Sequence, residues 1–306
     1  MSAPRIAVTG GAGFIGRWAV RALLDQGASV TVLDLPDRPA WIPDSVRYIR
    51  GNVDDAAAVD AAVGDADGVC HLAFRMDIDG GEPLASHRVN VLGSTVVMDR
   101  ALRHRVRRIV WGSSVMVYGP PHAYPNGTVA EDAEPMPRTF YGATKLTLEW
   151  TARAFRVQGL ETVGLRFTTV FGPGRERPGA APFGVTLFES AAARRSIRLP
   201  EGDRKAAMLY VHDAAQACAR SLLAPRPLRD VYNISGFETT VRELADVVRR
   251  RCADVDVDAE PGGDNPWPTS IDCRAAQCDF GYAPAFDRDR ACEDYLGFLK
   301  RQPQAS

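Results

Sequence analysis

Residues 6–16 open with an apolar run, Ile6 to Val8, that passes through Thr9 into glycines at 10, 11, 13 and 16. An apolar pattern with helical spacing follows, from Phe14 and Ile15 through Trp18 to Leu24. That succession predicts the strand, turn and helix of a dinucleotide site. Gly10 lets the chain turn sharply, Gly13 lets the backbone approach a pyrophosphate, and Gly16 lets the helix pack against the strand. The helix start then offers N–H groups to the phosphates. Among 27 glycines such a triplet is weak alone, and Asp34 strengthens it. This acid ends the next apolar run, Val30 to Leu33, where a carboxylate can accept from the adenosine ribose hydroxyls. A carboxylate there repels a 2′-phosphate, which favours NAD over NADP; the plainer alternative is a loop acid.

At 306 residues the chain can bury a full core, as one large domain or a domain with a smaller lobe. A formal net charge of −1 supplies no global positive field for nucleic acid or an anionic membrane. The basic run Arg100 to Arg108 reads as a solvated helix end entering the strand Ile109 to Trp111. Six cysteines show neither metal-type pairs nor a disulfide framework, so no metal site is expected and the thiols suit a reducing cytoplasm. No run approaches the roughly eighteen apolar residues of a membrane span, and no secretory leader is legible. A cytoplasmic, soluble protein is the expectation.

Further along, Val46 to Arg50 reads as a third strand ending at Gly51 and Asn52. Asn52 and Val53 either touch the adenine or form a plain turn in which Asp54 or Asp55 caps the next helix. Gly68 to Ala73 is a fourth buried strand whose small end, Ala73, lets a cofactor lie close, and His71 within it reads as a core histidine. A flexible stretch, Arg75 to Glu82, precedes a long helix from about Pro83 to His104 that carries Asn90. The fifth strand, Arg107 to Ser114, ends in two hydroxyls.

Tyr141 and Lys145 open an amphipathic helix, Phe140 to Val157, and lie four residues apart on one face. Beside a dinucleotide turn this pair becomes the main chemical clue. A phenol titrates near 10, so it needs a nearby cation to act as a base at neutral pH. Lys145 can supply that cation, and Ser114 can fix a substrate oxygen while Tyr141 takes the hydroxyl proton. The irregular stretch Val115 to Thr139 reads as one wall of the substrate pocket. From Leu160 on, a sixth strand to Phe167 and shorter units no longer repeat a strand-helix period, which suits a smaller lobe over the strand ends. That lobe's helices are expected near Pro182 to Arg195, from His212, and over Val241 to Val248.

These motifs together, with Asn90 to Gly93, Val117 to Gly119, and Leu165 to Phe167 leading to Val170 to Pro173, resemble the extended short-chain dehydrogenase/reductases. The chain is most similar to the NAD-dependent epimerase/dehydratase family, along almost its whole length. The resemblance implies an α/β fold: a Rossmann-type doubly wound parallel sheet over residues 1–166 with later returning segments, and a smaller C-terminal α/β substrate lobe over 167–306. It implies a catalytic triad of Ser114, Tyr141 and Lys145, with Ser114 four residues before the tyrosine of Val117 to Gly119. Cofactor contacts are expected from Gly10, Gly13, Phe14, Ile15, Asp34, Asn52, Val53, Leu72, Ala73, Phe74, Asn90, Tyr141, Lys145 and Phe167. A homodimer through the helices bearing Asn90 and Tyr141 is also implied.

Departures from the family pattern narrow the substrate. Val115 and Met116 stand where sugar-nucleotide dehydratases carry an Asp-Glu pair. Thr169 and Ala206 stand where epimerases often carry the Asn and Arg that hold a diphosphate. A smaller polyol, sugar acid or sugar-like alcohol becomes a candidate, with substrate contacts expected from Ser114, Val115, Met116, Thr169, Arg175 and Arg177, although Arg175, Arg177 or Arg204 could compensate for the missing diphosphate contacts. The expected activity is hydride transfer between NAD and a secondary alcohol or ketone carbon of such a molecule. An epimerase with tightly bound NAD, or an NAD-sensing protein without catalysis, remain alternatives.

Overall fold

The computed structural model describes residues 3–78, 80–125, 127–175 and 181–301. The first half alternates β1 (Arg5–Thr9), α1 (Phe14–Asp25), β2 (Ser29–Asp34), β3 (Arg47–Arg50), α2 (Ala56–Val63) and β4 (Gly68–His71). It continues with α3 (Pro83–His87), a π-helical turn (Arg88–Gly93), α4 (Ser94–Arg103), β5 (Arg108–Ser114), β6 (Thr128–Val129), α5 (Phe140–Val157) and β7 (Glu161–Phe167). Then come β8 (Thr169–Phe171), α6 (Phe183–Ala192), β9 (Ile197–Leu199), β10 (Lys205–Tyr210), α7 (Val211–Leu223), β11 (Val231–Ile234) and β12 (Phe237–Thr240). The chain closes with α8 (Val241–Arg251), β13 (Val257–Ala259), β14 (Ser270–Ile271), α9 (Arg274–Phe280) and α10 (Arg288–Arg301).

Seven parallel strands form one sheet in the order β11-β7-β5-β4-β1-β2-β3. Both faces are covered, which is why β4 and β5 read as unbroken buried runs. Alternate side chains serve opposite cores, as a period of two requires. Ile6 and Val8 pack with α1 and α7 on one face, whereas Ala7 packs with α2, α4 and α5 on the other. Strand order reverses between β1 and β4, and ligands bind above the carboxyl ends of strands at such a reversal.

A second core, around Phe171, Phe188, Met208, Leu244 and Tyr295, gathers α6, α8 and α10 with the small sheet β12-β10-β8. Two later segments rejoin the main sheet: α7 covers one face, and β11 extends the edge beyond β7. The basic run near β5 departs from expectation at its end. Arg108 is fully buried, donating to the carbonyls of Ser221, Ala224 and Arg226 and pairing with Glu161 at 2.9 Å. Three backbone carbonyls at the end of α7 and beyond replace the solvent its charge would otherwise need.

Candidate active site

The glycine turn sits at the strand-order reversal. Gly10 adopts a φ of +71°, and a Cβ there would lie 2.6 Å from the Ala73 amide nitrogen, so the turn rests directly on the end of β4. A Cβ on Gly16 would lie 1.9 Å from the Gly10 carbonyl oxygen. Gly13, the N-cap of α1, is exposed; a Cβ there would meet only that same carbonyl, at 3.2 Å, and otherwise fill open space. No side chain caps α1, so the first-turn N–H groups that include Phe14 and Ile15 face that space. Asp34, half-buried at the end of β2, accepts from the amides of Ala12 and Leu35, both at 2.8 Å. This cradle of bare backbone, uncapped helix and carboxylate fits a dinucleotide.

Around it the expected cofactor residues divide. Asn52 follows Gly51, whose amide donates to the Asp34 carbonyl, so it stands beside the acid. Val53 is 4% exposed and packs on Gly93, where a Cβ would come within 2.6 Å of its methyl; it is core. The turn behind it is capped by Asp55, not Asp54, through the Ala57 amide. Asn90 is buried in the π-helical turn, accepting from the Arg75 amide and donating to the Arg75 carbonyl and to Thr144. Both its amide hydrogens therefore serve the protein, tying the segment after β4 to α5. Leu72, Phe74 and Phe167 converge on Gly112, each within 3.6 Å of where its Cβ would be. His71 is the core histidine expected, bridging Thr9 at 2.6 Å and Ser94 at 2.8 Å, and burial holds its pKa down at about 3.

The triad is assembled where α5 meets the end of β5. Thr139 caps α5 through the Gly142 amide at 3.0 Å. Gly142 is required there, since a Cβ would lie 2.3 Å from the Met116 carbonyl oxygen. That close approach sets Tyr141 beside the turn after Ser114, whose Oγ accepts from the Met116 amide at 3.1 Å. Lys145 is buried, donates to the Gly112 carbonyl at 2.6 Å and places Nζ 2.8 Å from the Phe74 ring centroid. Val115 and Met116 are nearly buried, and Thr169 on β8 is half-buried opposite Met208. Arg175 donates to the Val170 carbonyl and lies 5.8 Å over the Phe14 ring; Arg177 lies outside the described residues.

Burial raises the Tyr141 phenol above its usual range, and the cation working against burial is Arg175. Arg175 thus joins Lys145 as a cation near Tyr141. Lys145 Nζ lies 5.3 Å from the Tyr141 ring centroid, and burial pulls its own ammonium well below the usual range while Glu149 opposes that. Sequence reasoning also passed over Glu149 and Arg166, a buried ion pair of 2.6 Å directly behind the triad. Glu149 follows Lys145 by four residues and Tyr141 by eight, a spacing that marks one helix face.

The fold recurs in known proteins. A model of the NAD dependent epimerase/dehydratase family matches residues 6–235. A dTDP-glucose 4,6-dehydratase of Streptomyces niveus is 32% identical over 92% of this chain and 88% of its own. Among solved structures, a UDP-glucose 4-epimerase of Thermus thermophilus in complex with NAD has a TM-score of 0.82 at 25% identity, covering 97% of this chain and 99% of that one. An L-threonine 3-dehydrogenase of Trypanosoma brucei has a TM-score of 0.86 at 25% identity, covering 97% of each chain. With the family model spanning residues 6–235 and a relative 32% identical over 92% of the chain, the chain belongs to the NAD dependent epimerase/dehydratase family.

Proposed function

We propose that this enzyme oxidises a secondary alcohol, or reduces the matching ketone, on a sugar or sugar-like small molecule. The observation that carries the reading is the meeting of Ser114, Tyr141 and Lys145 where α5 crosses the end of β5, next to the glycine cradle. The α1 N-terminus and Gly13 hold the pyrophosphate of NAD, and Asp34 holds its adenosine ribose. NAD, when bound, supplies the hydride acceptor or donor. Ser114 fixes the substrate oxygen, and Tyr141 takes the proton from the hydroxyl during oxidation and returns it during reduction. Lys145, held by the Gly112 carbonyl, would hold the nicotinamide ribose, and Arg175 is a charge that favours the phenolate.

Substrate contacts are assigned to Ser114, Val115, Met116, Thr169 and Arg175, with Arg177 beside them in sequence. Val115 and Met116 supply no carboxylate for a dehydration step. Thr169 and Ala206 supply neither the amide nor the guanidinium that would hold a diphosphate, and Arg204 is engaged with Glu201 at 2.9 Å. An unlinked polyol, sugar acid or similar alcohol fits this chemistry. The relative named for L-threonine supports a substrate without a nucleotide. A second reading, an epimerase with resident NAD, is supported by the likeness to a UDP-glucose 4-epimerase. A screen of free sugars, sugar acids and nucleotide sugars separates them: a dehydrogenase releases NADH that absorbs in the near ultraviolet, whereas an epimerase needs no added NAD and yields the epimer.

The substrate lobe is assigned to residues 167–306 other than α7, β11 and α9, which pack on the main-sheet core. We assign a homodimer to the face that leaves Leu84, Leu92, Trp150 and Val157 exposed on the helices bearing Asn90 and Tyr141. Six free thiols suit a cytoplasmic location, and among the described residues no helix is long and apolar enough to cross a membrane.

A further inference from the structure

Lys145 and Glu149 stand one helical turn apart on α5 and engage consecutive residues of β5. Lys145 Nζ donates to the Gly112 carbonyl at 2.6 Å, and Ser113 Oγ donates to Glu149 Oε1 at 2.7 Å. Tyr141 lies one turn before Lys145, and Ser114 directly follows Ser113, so these two bonds fix the stretch that carries all three reacting side chains. Glu149 is 3% exposed, and Arg166 clasps both its oxygens, at 2.8 Å through Nε and 2.6 Å through Nη2. Arg166 in turn donates to the Tyr118 hydroxyl at 2.6 Å and the Glu131 carbonyl at 2.9 Å. A carboxylate this deep is stable only when paired and fully hydrogen-bonded, and this one is.

We infer that Glu149 is a positioning residue of the active site, the counter-charge of the Lys145 ammonium and the strut that holds Ser113, and so Ser114, against α5. The inference rests on Lys145 being the cation that faces the cofactor. The titratable and charged groups around Lys145 support it. Tyr141 and Glu149 stand on its own helix, with Arg175 acting on Tyr141 from the lobe side; His71 faces it from β4, and Arg166 reaches Glu149 from β7. His71 is neutral, held there by burial and by Lys145 itself. Among the described residues, Glu149 acts on Lys145 in favour of its ammonium, against burial.

The direction of the effect follows. An ammonium whose counter-charge is removed loses its proton at lower pH. NAD affinity, measured by calorimetry from neutral to alkaline pH, should therefore weaken from a lower pH in Glu149→Gln than in the parent enzyme. The expected displacement of that limb is about one pH unit or more, a tenfold change in the proton equilibrium. Ser113→Ala, which removes a hydrogen bond and no charge, should leave the limb in place, so a purely structural role would not reproduce the pattern. Glu149→Gln leaves Arg166 buried without its partner, so the double variant Glu149→Gln, Arg166→Met is used if the single one does not fold; it should move the limb in the same direction but by less, because a like charge leaves with the counter-charge. A folded variant whose limb is unmoved overturns the inference. Lys145→Met serves as the reference: NAD affinity indifferent to that change overturns the reading of Lys145 itself, and is distinguished from a failure at Glu149.

Discussion

Gly16 sits where one methyl group decides whether the turn can form. Its Cβ would come within 1.9 Å of a backbone oxygen of Gly10, and neither backbone has room to move. Gly16→Ala is expected to abolish measurable NAD binding by calorimetry and to lower the melting temperature, whereas retained affinity would separate this turn from the cofactor. His71 gives a second expectation. Its folded pKa, about 3, lies below the ordinary value near 6.5, so its contribution to stability is complete above that value and is lost as pH falls toward 3. Imidazole nitrogen NMR shifts should accordingly remain those of a neutral ring at mildly acidic pH, and a ring titrating at the ordinary value would contradict its burial. Gly10, Gly16, Asp34 and the spacing of Tyr141 and Lys145 were legible because each obeys a local geometric rule. Arg108 and Arg166 were not, since their partners lie far along the chain and a basic residue looks solvated until those partners are known.

At the scale of elements, the active site is a crossing of α5 over β5, and its register comes from Gly142, Lys145 and Glu149 together. The bounds of α5 were readable from its amphipathic period, and the structure adds the Thr139 cap. The helix from Pro83 onward was read as one regular unit, yet residues 88–93 form a π-helical turn. Nothing in the apolar period marks that turn; it is where Asn90 reaches the Arg75 backbone and Thr144 of α5. Asn90→Ala removes three hydrogen bonds, one buried and two partly buried, a loss of about 1 to 3 kcal/mol. Chemical denaturation should show that loss, with weaker NAD binding as the segment after β4 loosens. Unchanged stability would mean that Asn90 does not clamp it.

For the whole molecule, the parallel sheet was legible from its buried runs, and later returning segments were expected without the sequence marking α7 and β11 as those segments. Val231 to Ile234 is a short apolar strand like those of the lobe, and only the open edge of β7 decides which sheet it joins. Trp150, 59% exposed on α5, and Leu84, 85% exposed on α3, are the exposed apolar side chains to which the proposed dimer is assigned. Trp150→Asp should shift the sedimentation coefficient from dimer to monomer, and a parent protein already monomeric would remove the dimer from the account. The central claim is that Tyr141 transfers the substrate proton in a site built around NAD. Its most direct test is turnover of Tyr141→Phe on the substrate identified by the sugar screen, with NAD affinity measured on the same preparation. The predicted result is NAD affinity close to the parent's and turnover lower by roughly two to four orders of magnitude; turnover at the parent rate would contradict it.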